Sequence, residues 1–312
     1  MFPRHLLYFL LIVISSCSVE RKPSAEPVRV SILKGPSAIA FAHLSDSQAT
    51  VNRRPFSVDI ADSPEIIQAR IIKGETDMAV LPMTSAANLY NKGIPYTLLG
   101  CPIWGTLFLA GPKEIQDISQ LKGKTIHLFG RGTTPEILTR YFLEENGISL
   151  SEISLNYTFG NARDLAQALL AHRIETAVVS EPFLSMATGK DSTLHVIADL
   201  NNFRLDQKGF PQTAILIHRS MEPLRAVLDS LVNVSCEYAA AFPDSVIHIV
   251  EKKQYFPPEI LSNESIGRCK IAYLKGNEIR NEVAGYLNII YRHTPKAIGN
   301  KLPDPGFIPC TP

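Results

Sequence analysis

Four short segments rich in small or hydroxyl-bearing residues lie directly before predicted helices. They are KGPSA (34–38), PMTSA (82–86), GRGTTP (130–135) and SEPF (180–183). Hydroxyls and free backbone N–H groups at a helix N-terminus favour a polar or negatively charged partner, because the helix dipole is positive there. Together the four segments predict a binding site for a small polar or anionic molecule.

The third of these segments also has a purely structural interpretation. Thr134, directly before Pro135, is a suitable N-cap for the helix that follows. Thr133 with Glu136 forms the alternative capping-box pattern T-x-x-E. In either case a hydroxyl group serves the helix rather than a ligand, and the two glycines only permit the turn. The sequence leaves both interpretations open.

Motifs typical of common enzymes are absent from the sequence. It has no GxxxxGK[ST], no GxGxxG after a strand, no GxSxG and no HExxH. His127 and His172 lie in or at the ends of predicted elements, where a single histidine is more often structural. Lys34 and Glu181 are loop charges that suit either a ligand or a solvated ion pair. Trp104, the only tryptophan, could be a wall of a cleft or ordinary packing. We therefore predict binding without catalysis, and neither a cofactor nor a metal.

Strand-like and helix-like patterns alternate from residue 28 onward. The best-marked helix has Ser63 as its N-cap, Pro64 at its first position and Gly74 as its C-cap. This alternation predicts βαβ units and mainly parallel sheets. The predicted strands are VRVSIL (28–33), FSVDIA (56–61), DMAVL (77–81), KTIHLF (124–129), SLNYTF (154–159), ETAVVS (175–180) and HVIADL (195–200).

An internal repeat indicates two similar lobes. IIKGETDMAVL (71–81) and LLAHRIETAVV (169–179) both contain a helix end, a polar turn, an acidic residue and a short buried strand. Two extended segments connect these repeats to the rest of the chain, which predicts a two-strand hinge and a ligand cleft between the lobes. The predicted lobes are 28–108 with 212–312 (lobe one) and 109–211 (lobe two).

The composition supports two globular lobes. The chain has 312 residues, of which 45% are hydrophobic and 20% are charged, and its formal net charge is +1. A chain of this length can bury two hydrophobic cores. Near-neutral charge, without a basic stripe interleaved with aromatic residues, argues against nucleic acid as a partner.

Residues 1–16 have the pattern of a secretory signal peptide. A short basic region precedes the apolar stretch Leu6–Ile14, which is shorter than the roughly 20 residues of a membrane-spanning helix. The sequence ISSC resembles a bacterial lipobox, in which Cys17 is lipidated and residues 17–27 form a tether. A plain signal peptide with a free cysteine, or a core segment of a first helix, fits the same residues.

The cysteine count agrees with export. Setting Cys17 aside leaves Cys101, Cys236, Cys269 and Cys310, an even number that permits one or two disulfides in an oxidising compartment. The last three lie in the final third of the chain, which favours a bridge among them. Cys101 lies in an apolar run and equally suits a buried thiol. The sequence does not select a pairing, and no cysteine spacing is typical of zinc.

These features together resemble the substrate-binding lipoproteins of ABC importers, in particular the nitrate/sulfonate/taurine/thiamine-precursor type. The resemblance covers nearly the whole mature chain. It implies a type II periplasmic-binding-protein fold, in which two Rossmann-like α/β lobes with mixed, mainly parallel sheets are joined by a two-strand hinge. It rests on the order of the lipobox, KGPSA, KGETDMAVLPMTSAANLYNKG, GRGTTPEILTRYFLEENGI and ETAVVSEPF.

The resemblance also implies a set of ligand-facing positions. Glu181 departs from the hydroxyl and backbone donors usual for sulfonate or nitrate, because a carboxylate repels an anion unless it points away. A Glu181 side chain facing the cleft would favour an amine-bearing or pyrimidine-like ligand. The implied positions are Gly35, Pro36, Ser37, Thr84, Ser85, Trp104, Thr106, Gly132, Thr133, Thr134 and Glu181.

We therefore expect a lipid-anchored, monomeric solute-binding component of an ABC importer on the extracytoplasmic side of a bacterial membrane. Its partners would be a membrane permease and a small polar or anionic solute, either sulfonate- or nitrate-like or pyrimidine-like. Two rival functions remain. Enzymes acting on small organic acids share the fold, although the signal peptide argues against a cytosolic one. A sensory binding lipoprotein without a transporter would share every motif.

Overall fold

The computed structural model describes residues 26–201 and 209–309. The predicted signal peptide, the lipidation site Cys17 and also Cys310 lie outside these residues. The strands of the described chain are β1 (Val28–Leu33), β2 (Thr50–Val51), β3 (Arg54–Ala61), β4 (Met78–Pro82), β5 (Tyr96–Ile103), β6 (Leu107–Pro112), β7 (Thr125–His127), β8 (Ser154–Asn156), β9 (Thr176–Ser180), β10 (Leu194–Asp199), β11 (Thr213–His218) and β12 (Ile271–Lys275).

Helices flank these strands. Between residues 30 and 200 they follow the predicted alternation, and after β11 the chain is mainly helical. The α-helices of the described chain are α1 (Pro36–Ala40), α2 (Ala42–Asp46), α3 (Pro64–Lys73), α4 (Met83–Asn91), α5 (Thr134–Glu145), α6 (Ala162–Leu170), α7 (Phe183–Lys190), α8 (Arg225–Ala241), α9 (Pro243–Lys252), α10 (Asn263–Arg268) and α11 (Arg280–His293).

The strands form two sheets, which confirms the predicted mixed α/β architecture. The first sheet has the order β12-β5-β11-β4-β1-β3-β2 and the second has the order β10-β6-β9-β7-β8. β1 runs parallel to β3 and β4, and β7 runs parallel to β8 and β9. The pairs made by β5, β6 and β11 are antiparallel, because these strands carry the chain between the sheets.

Local sequence explains the best-defined elements. α3 has Ser63 at its N-cap, Pro64 at its first position and Gly74 at its C-cap, as predicted. Gly74 has a φ of 70°, the left-handed conformation that ends many helices. β1 occupies the predicted residues 28–33, and four of its six residues are buried, with side chains from both faces among them, as expected for a strand covered on both faces.

The chain crosses between the sheets through tightly packed backbone. Gly105 lies between β5 and β6 with a φ of 98°, and a Cβ atom there would lie 2.5 Å from the side-chain oxygen of Asn201. That oxygen accepts a hydrogen bond of 2.8 Å from the backbone N–H of Leu107. Glycine is therefore required at this crossing. On the return path, β12 pairs with β5 and so places the helical C-terminal part against the first sheet.

One hydrophobic cluster extends across both sheets. It contains Leu81 and Leu98 from the first sheet, and Leu109, Ile126 and Val178 from the second. A second contact lies away from the crossing strands, where side chains of α7 pack against a cluster formed by α9, α10 and their neighbours. The two sheets are therefore joined both at the crossing strands and through α7.

The three described cysteines are free and buried. Cys101, Cys236 and Cys269 each belong to a different hydrophobic cluster, so their packing keeps the thiols apart. No bridge joins Cys236 to Cys269, the predicted pairings with Cys310 lie outside the described residues, and the interpretation of Cys101 as a buried thiol is confirmed. None of the described helices combines the length and the apolar character needed to cross a membrane.

Candidate functional site

A cavity of about 470 Å³ lies between the two sheets. It is bordered by the segments that follow β1, β4, β7 and β9, and by the crossing residues before β6 and β11. These segments leave the carboxyl ends of the parallel strands, where open α/β sheets bind their ligands. All four of the segments singled out in the sequence contribute to the lining.

Most of the predicted site residues line this cavity. The structure brings together Gly35, Pro36, Ser37, Thr84, Ser85, Thr106, Thr133, Thr134 and Glu181. Trp104 and Gly132 are not among the lining residues. The Trp104 side chain packs in the core, where its indole N–H donates to the Ala272 carbonyl over 2.8 Å. The Gly132 N–H donates to the Glu136 carboxylate over 2.6 Å.

Several helices begin at the cavity without a side-chain cap. The N-cap residues Gly35 of α1, Pro82 of α4 and Thr133 of α5 accept no side-chain hydrogen bond from the first helical turn. Each helix therefore presents first-turn N–H groups, and the positive end of its dipole, without an intrahelical side-chain partner. Both sheets contribute such ends, so the positive ends of several helix dipoles point towards the cleft.

The hydroxyl groups of the GRGTTP segment do not cap their helix. Thr133 stands at the N-cap position, but its hydroxyl donates to the Gly130 carbonyl over 2.5 Å. The hydroxyl of Thr134 instead pairs with the Tyr286 hydroxyl over 2.9 Å. Both capping predictions for these hydroxyls were wrong, because closer partners outside the helix take them. The carboxylate of Glu136 stabilises the loop by accepting a hydrogen bond from the Gly132 N–H.

Two residues of the return crossing line the cavity and were missed from the sequence. The side-chain oxygen of Gln212 accepts a hydrogen bond from the Thr106 hydroxyl over 2.9 Å, which links the two crossings. The hydroxyl of Thr213 is buried and has no hydrogen-bond partner among the described residues, and the residue is only 5% exposed. A buried hydroxyl without a partner is costly unless a ligand supplies one. The only sequence signal was the position of FPQT at the start of an extended return segment.

Glu181 follows β9 directly and is only 1% exposed. Its carboxylate accepts two hydrogen bonds from Ser185, one from the backbone N–H over 3.1 Å and one from the hydroxyl over 2.9 Å. Arg268 approaches the same carboxylate at 3.7 Å. Burial raises the pKa of Glu181 to about 7, against the opposing effects of Ser185 and Arg268.

Charged residues at the cavity are few. Of the described residues that line it, Lys34 is basic, and Glu65 and Glu181 are acidic. Lys34 is partly exposed and lies 3.3 Å from a carboxylate oxygen of Asp62. The lining side chains therefore carry no net positive charge, so any attraction for an anion has to come from the helix ends.

A second pocket of about 680 Å³ adjoins the cavity and shares Lys34, Phe129 and Phe183 with it. The additional lining residues include Phe256 and Ile260, which are 4% and 8% exposed. The outer part of the combined cleft also contains charged residues, among them Asp62, Arg163 and Asp164. Within the described residues, no group of His, Cys, Asp or Glu side chains is arranged to hold a metal ion.

Two sheets joined by crossing strands, with a cavity at their facing edges, define a bilobal periplasmic binding protein. Residues 40–235 match the family of ABC transporter, phosphonate, periplasmic substrate-binding proteins. The chain belongs to this family, and it is a substrate-binding component of an ABC transporter. The resemblance inferred from the sequence is thereby confirmed at the level of the transporter class, and the family is extracytoplasmic.

Solved structures share the fold. An ABC transporter structure from Parabacteroides distasonis is 44% identical, with a TM-score of 0.86, and the match covers 92% of this chain and 99% of that one. The aliphatic sulphonate binding protein SsuA from Escherichia coli is 15% identical, with a TM-score of 0.71 and coverage of 89% and 96%.

A third structure, the alkanesulfonate-binding protein SsuA from Xanthomonas axonopodis pv. citri bound to MOPS, is 16% identical to the chain. Its TM-score is 0.62, and the match covers 91% of this chain and 97% of that one. At 15% and 16% identity, the two SsuA structures show a common fold. No curated protein matches the chain in sequence.

Proposed function

We propose that the inner cavity binds the oxyanion group of a small organic phosphonate or sulfonate. The observation that carries this proposal is the convergence of uncapped helix N-termini from both sheets on one cavity. Backbone N–H groups at helix ends bind phosphate and sulfate without requiring a basic side chain. The hydroxyls of Ser37, Thr84 and Ser85 supply further donors.

The shape of the cleft favours an organic anion over nitrate. A cavity of about 470 Å³, extended by the outer pocket, is much larger than a single inorganic anion. Phe129 and Phe183 border both parts and offer apolar surface to a carbon skeleton. The names of two structural relatives, which refer to sulfonates, agree with this ligand class.

The site suits a protein that binds its ligand without catalysing a reaction. Lobe one (28–108 with 212–312) and lobe two (109–211) would close around the ligand, since contacts to both sheets exist only in the closed cleft. A ligand shifts the open–closed equilibrium by its differential affinity for the two states. In this proposal the protein has no catalytic role, acts as a monomer and delivers its ligand to a permease.

The N-terminal segment would hold the protein at the membrane. We propose removal of residues 1–16 as a signal peptide and lipidation of Cys17, followed by a tether at residues 17–27. A lipid-modified cysteine that carries several acyl chains meets the requirement of more than one chain for stable anchoring. Mass spectrometry of the membrane-bound protein tests the modification, and Cys17→Ser should release the protein from the membrane fraction.

The ligand class can be tested by thermal shift on a soluble form beginning at Ser18. The panel contains methylphosphonate, ethanesulfonate, inorganic phosphate, nitrate and an aminopyrimidine. A ligand at 100 times its dissociation constant stabilises the fold by about 2.7 kcal/mol, so a true ligand gives a clear upward shift. We expect shifts from the organic oxyanions.

Two serine variants control for the position of binding. Ser85→Ala removes a hydroxyl from the cavity and should reduce the shift. Ser57→Ala removes a hydroxyl from the exposed face of β3 and should not. A panel in which only the aminopyrimidine stabilises the protein, or in which no compound does, contradicts the proposed ligand class.

A further inference from the structure

Glu181 places a buried acidic side chain next to a cavity for which we propose an anionic ligand. Its backbone N–H donates to the Thr106 carbonyl over 3.0 Å, which fixes the residue at the crossing between the sheets. Its side chain has 0% exposure, and both carboxylate oxygens accept hydrogen bonds from Ser185. The carboxylate is therefore directed into α7 and withdrawn from solvent.

Arg268 reaches this carboxylate from the other side of the cleft. It is the last residue of α10, which precedes β12 of the first sheet, whereas Glu181 follows β9 of the second sheet. One guanidinium nitrogen lies 3.7 Å from the Glu181 carboxylate and donates to the Ser185 hydroxyl over 3.4 Å. Another guanidinium nitrogen lies 2.7 Å from the Glu264 carboxylate. Arg268 does not line the cavity, so any effect it has there passes through Glu181.

The effect of Glu181 on a bound anion depends on the charged groups around its carboxylate. Two anions close together in a poorly solvated site repel each other strongly. Arg268 is the cation that compensates Glu181, while Glu264 on α10 acts in the opposite direction. The buried Cys269 thiol is also close, and Glu181 contributes to raising its pKa. Without Arg268, the Glu181 carboxylate would lose its only described ion-pair partner and its pKa would rise further, so the ionised carboxylate would oppose an anionic ligand at a pH above that pKa.

We propose that Arg268 is the positioning residue that makes the cleft selective for anions, because it holds and compensates the Glu181 carboxylate away from the ligand. The inference rests on the proposed binding of organic oxyanions. It assigns the discrimination between charged and neutral ligands to a residue outside the cavity. It also explains how an acidic residue is tolerated at a site that binds anions.

The test compares a charged ligand with a neutral one of similar size. Ethanesulfonate and dimethyl sulfone are titrated calorimetrically into the wild type, Arg268→Gln, Glu181→Gln and the double variant. At pH 9, which favours the ionised form of Glu181, we expect Arg268→Gln to weaken ethanesulfonate binding by about tenfold, as one unfavourable charge–charge interaction predicts, and to spare the sulfone. Glu181→Gln in the same chain should restore ethanesulfonate binding to within about threefold of the wild type.

A matched control removes a different ion pair between the two halves of the molecule. Lys270 lies 3.0 Å from the Asp199 carboxylate of β10, at a site separate from Glu181. Lys270→Gln should therefore weaken ethanesulfonate and dimethyl sulfone to a similar, small extent. The pH dependence of binding gives a second readout, since ethanesulfonate affinity should fall more steeply from pH 6 to 9 in Arg268→Gln than in the wild type and stay level in Glu181→Gln.

The possible outcomes separate the two proposals. Wild-type protein that binds none of the oxyanions overturns the proposed function and, with it, this inference. Wild-type binding that Arg268→Gln leaves unchanged, or a loss that Glu181→Gln does not restore, overturns the inference alone. A loss in Lys270→Gln equal to that in Arg268→Gln assigns the effect to general linkage of the two halves, and also overturns it.

Discussion

The hydroxyl of Thr213 is buried at the cavity without a partner among the described residues. Thr213→Val keeps the shape of the side chain and removes this hydroxyl. We expect unfolding stability to stay the same or to rise, because no hydrogen bond is lost and a buried polar group disappears. Oxyanion affinity should fall on the order of tenfold, since hydrogen bonds to charged groups are the stronger ones.

Thr176→Val is the control for Thr213→Val, and we expect the opposite result for stability and for binding. The Thr176 hydroxyl is also buried, but it donates to the Thr125 carbonyl over 2.8 Å, away from the cavity. Its removal should lower thermal stability and leave the dissociation constant unchanged. Calorimetric titration and melting curves on both variants check the pair, and a Thr213→Val protein with wild-type affinity would rule out a ligand contact there.

Glu181 predicts an unusual pH dependence of stability. Its pKa is raised to about 7 in the folded protein from the ordinary value of 4.5, so the folded state binds the proton more tightly than the unfolded state. Its contribution to stability is therefore greatest below pH 4.5 and is lost as the pH rises towards 7. The loss amounts to about 3 kcal/mol when the raised pKa is converted to free energy.

Glu181→Gln should remove this part of the pH dependence. Urea unfolding at pH 5, 6, 7 and 8 measures it, and the variant should gain on the wild type as the pH increases. Glu65→Gln is the matched control, because it removes an exposed carboxylate from the same cavity. Parallel pH profiles for the wild type and Glu181→Gln would show that Glu181 titrates normally in the folded protein.

At the scale of single elements, α5 depends on Glu136 for the order of its preceding loop. The carboxylate accepts the Gly132 N–H and pairs with Arg140 at 2.7 Å, while the residue is 9% exposed. Glu136→Ala leaves both partners without this acceptor, and we expect a loss of about 1–2 kcal/mol in stability. Oxyanion affinity should fall as well, because the loop presents the start of α5 to the cavity.

Glu144→Ala is the control for helix propensity, since it makes the same substitution on the exposed face of α5. It should change stability by less than about 0.5 kcal/mol and leave binding as it was. Chemical unfolding and titration with ethanesulfonate measure both variants. Equal effects from the two substitutions would mean that the loop does not depend on the Glu136 carboxylate.

Elements with local signals could be predicted from the sequence, and those fixed by distant contacts could not. α3 has the predicted Ser63, Pro64 and Gly74 at its ends, because caps act over a few residues. The ion pair of Glu181 with Arg268 and the hydrogen bond of the Thr134 hydroxyl with Tyr286 could not be predicted. These partners lie far apart along the chain, so no local sequence pattern indicates the contacts. β12 was missed for the same reason, since its place beside β5 is a tertiary contact.

At the scale of the whole molecule, the first crossing should control how the two halves are held. In Gly105→Ala, the new Cβ atom meets the Asn201 side chain at 2.5 Å and the backbone keeps a φ of 98°. We expect stability to fall by more than about 2 kcal/mol, because strain and displacement of a buried side chain add together. Small-angle scattering should also show a changed separation of the halves.

Gly123→Ala separates the effect of backbone strain from the effect of the contact with Asn201. Gly123 has a φ of 79°, but a Cβ atom there would meet nothing within 4 Å. Its cost should therefore be limited to backbone strain, about 1 kcal/mol, and scattering should match the wild type. Similar losses for both variants would mean that contact with Asn201 does not matter at the crossing.

The free cysteines give the protein internal chemical reporters. Cys269 lies in the cluster that α7 closes, whereas Cys101 lies in the cluster that spans both sheets. Burial raises the pKa of each thiol, so a thiol reagent labels them only when the surrounding structure opens. In a chain beginning at Ser18 and carrying Cys236→Ala and Cys310→Ser, the labelling rate of Cys269 reports separation of α7 from α10, and that of Cys101 reports global unfolding. A bound ligand that closes the cleft would then slow the first rate more than the second, which turns cleft motion into a rate that a colorimetric assay can follow.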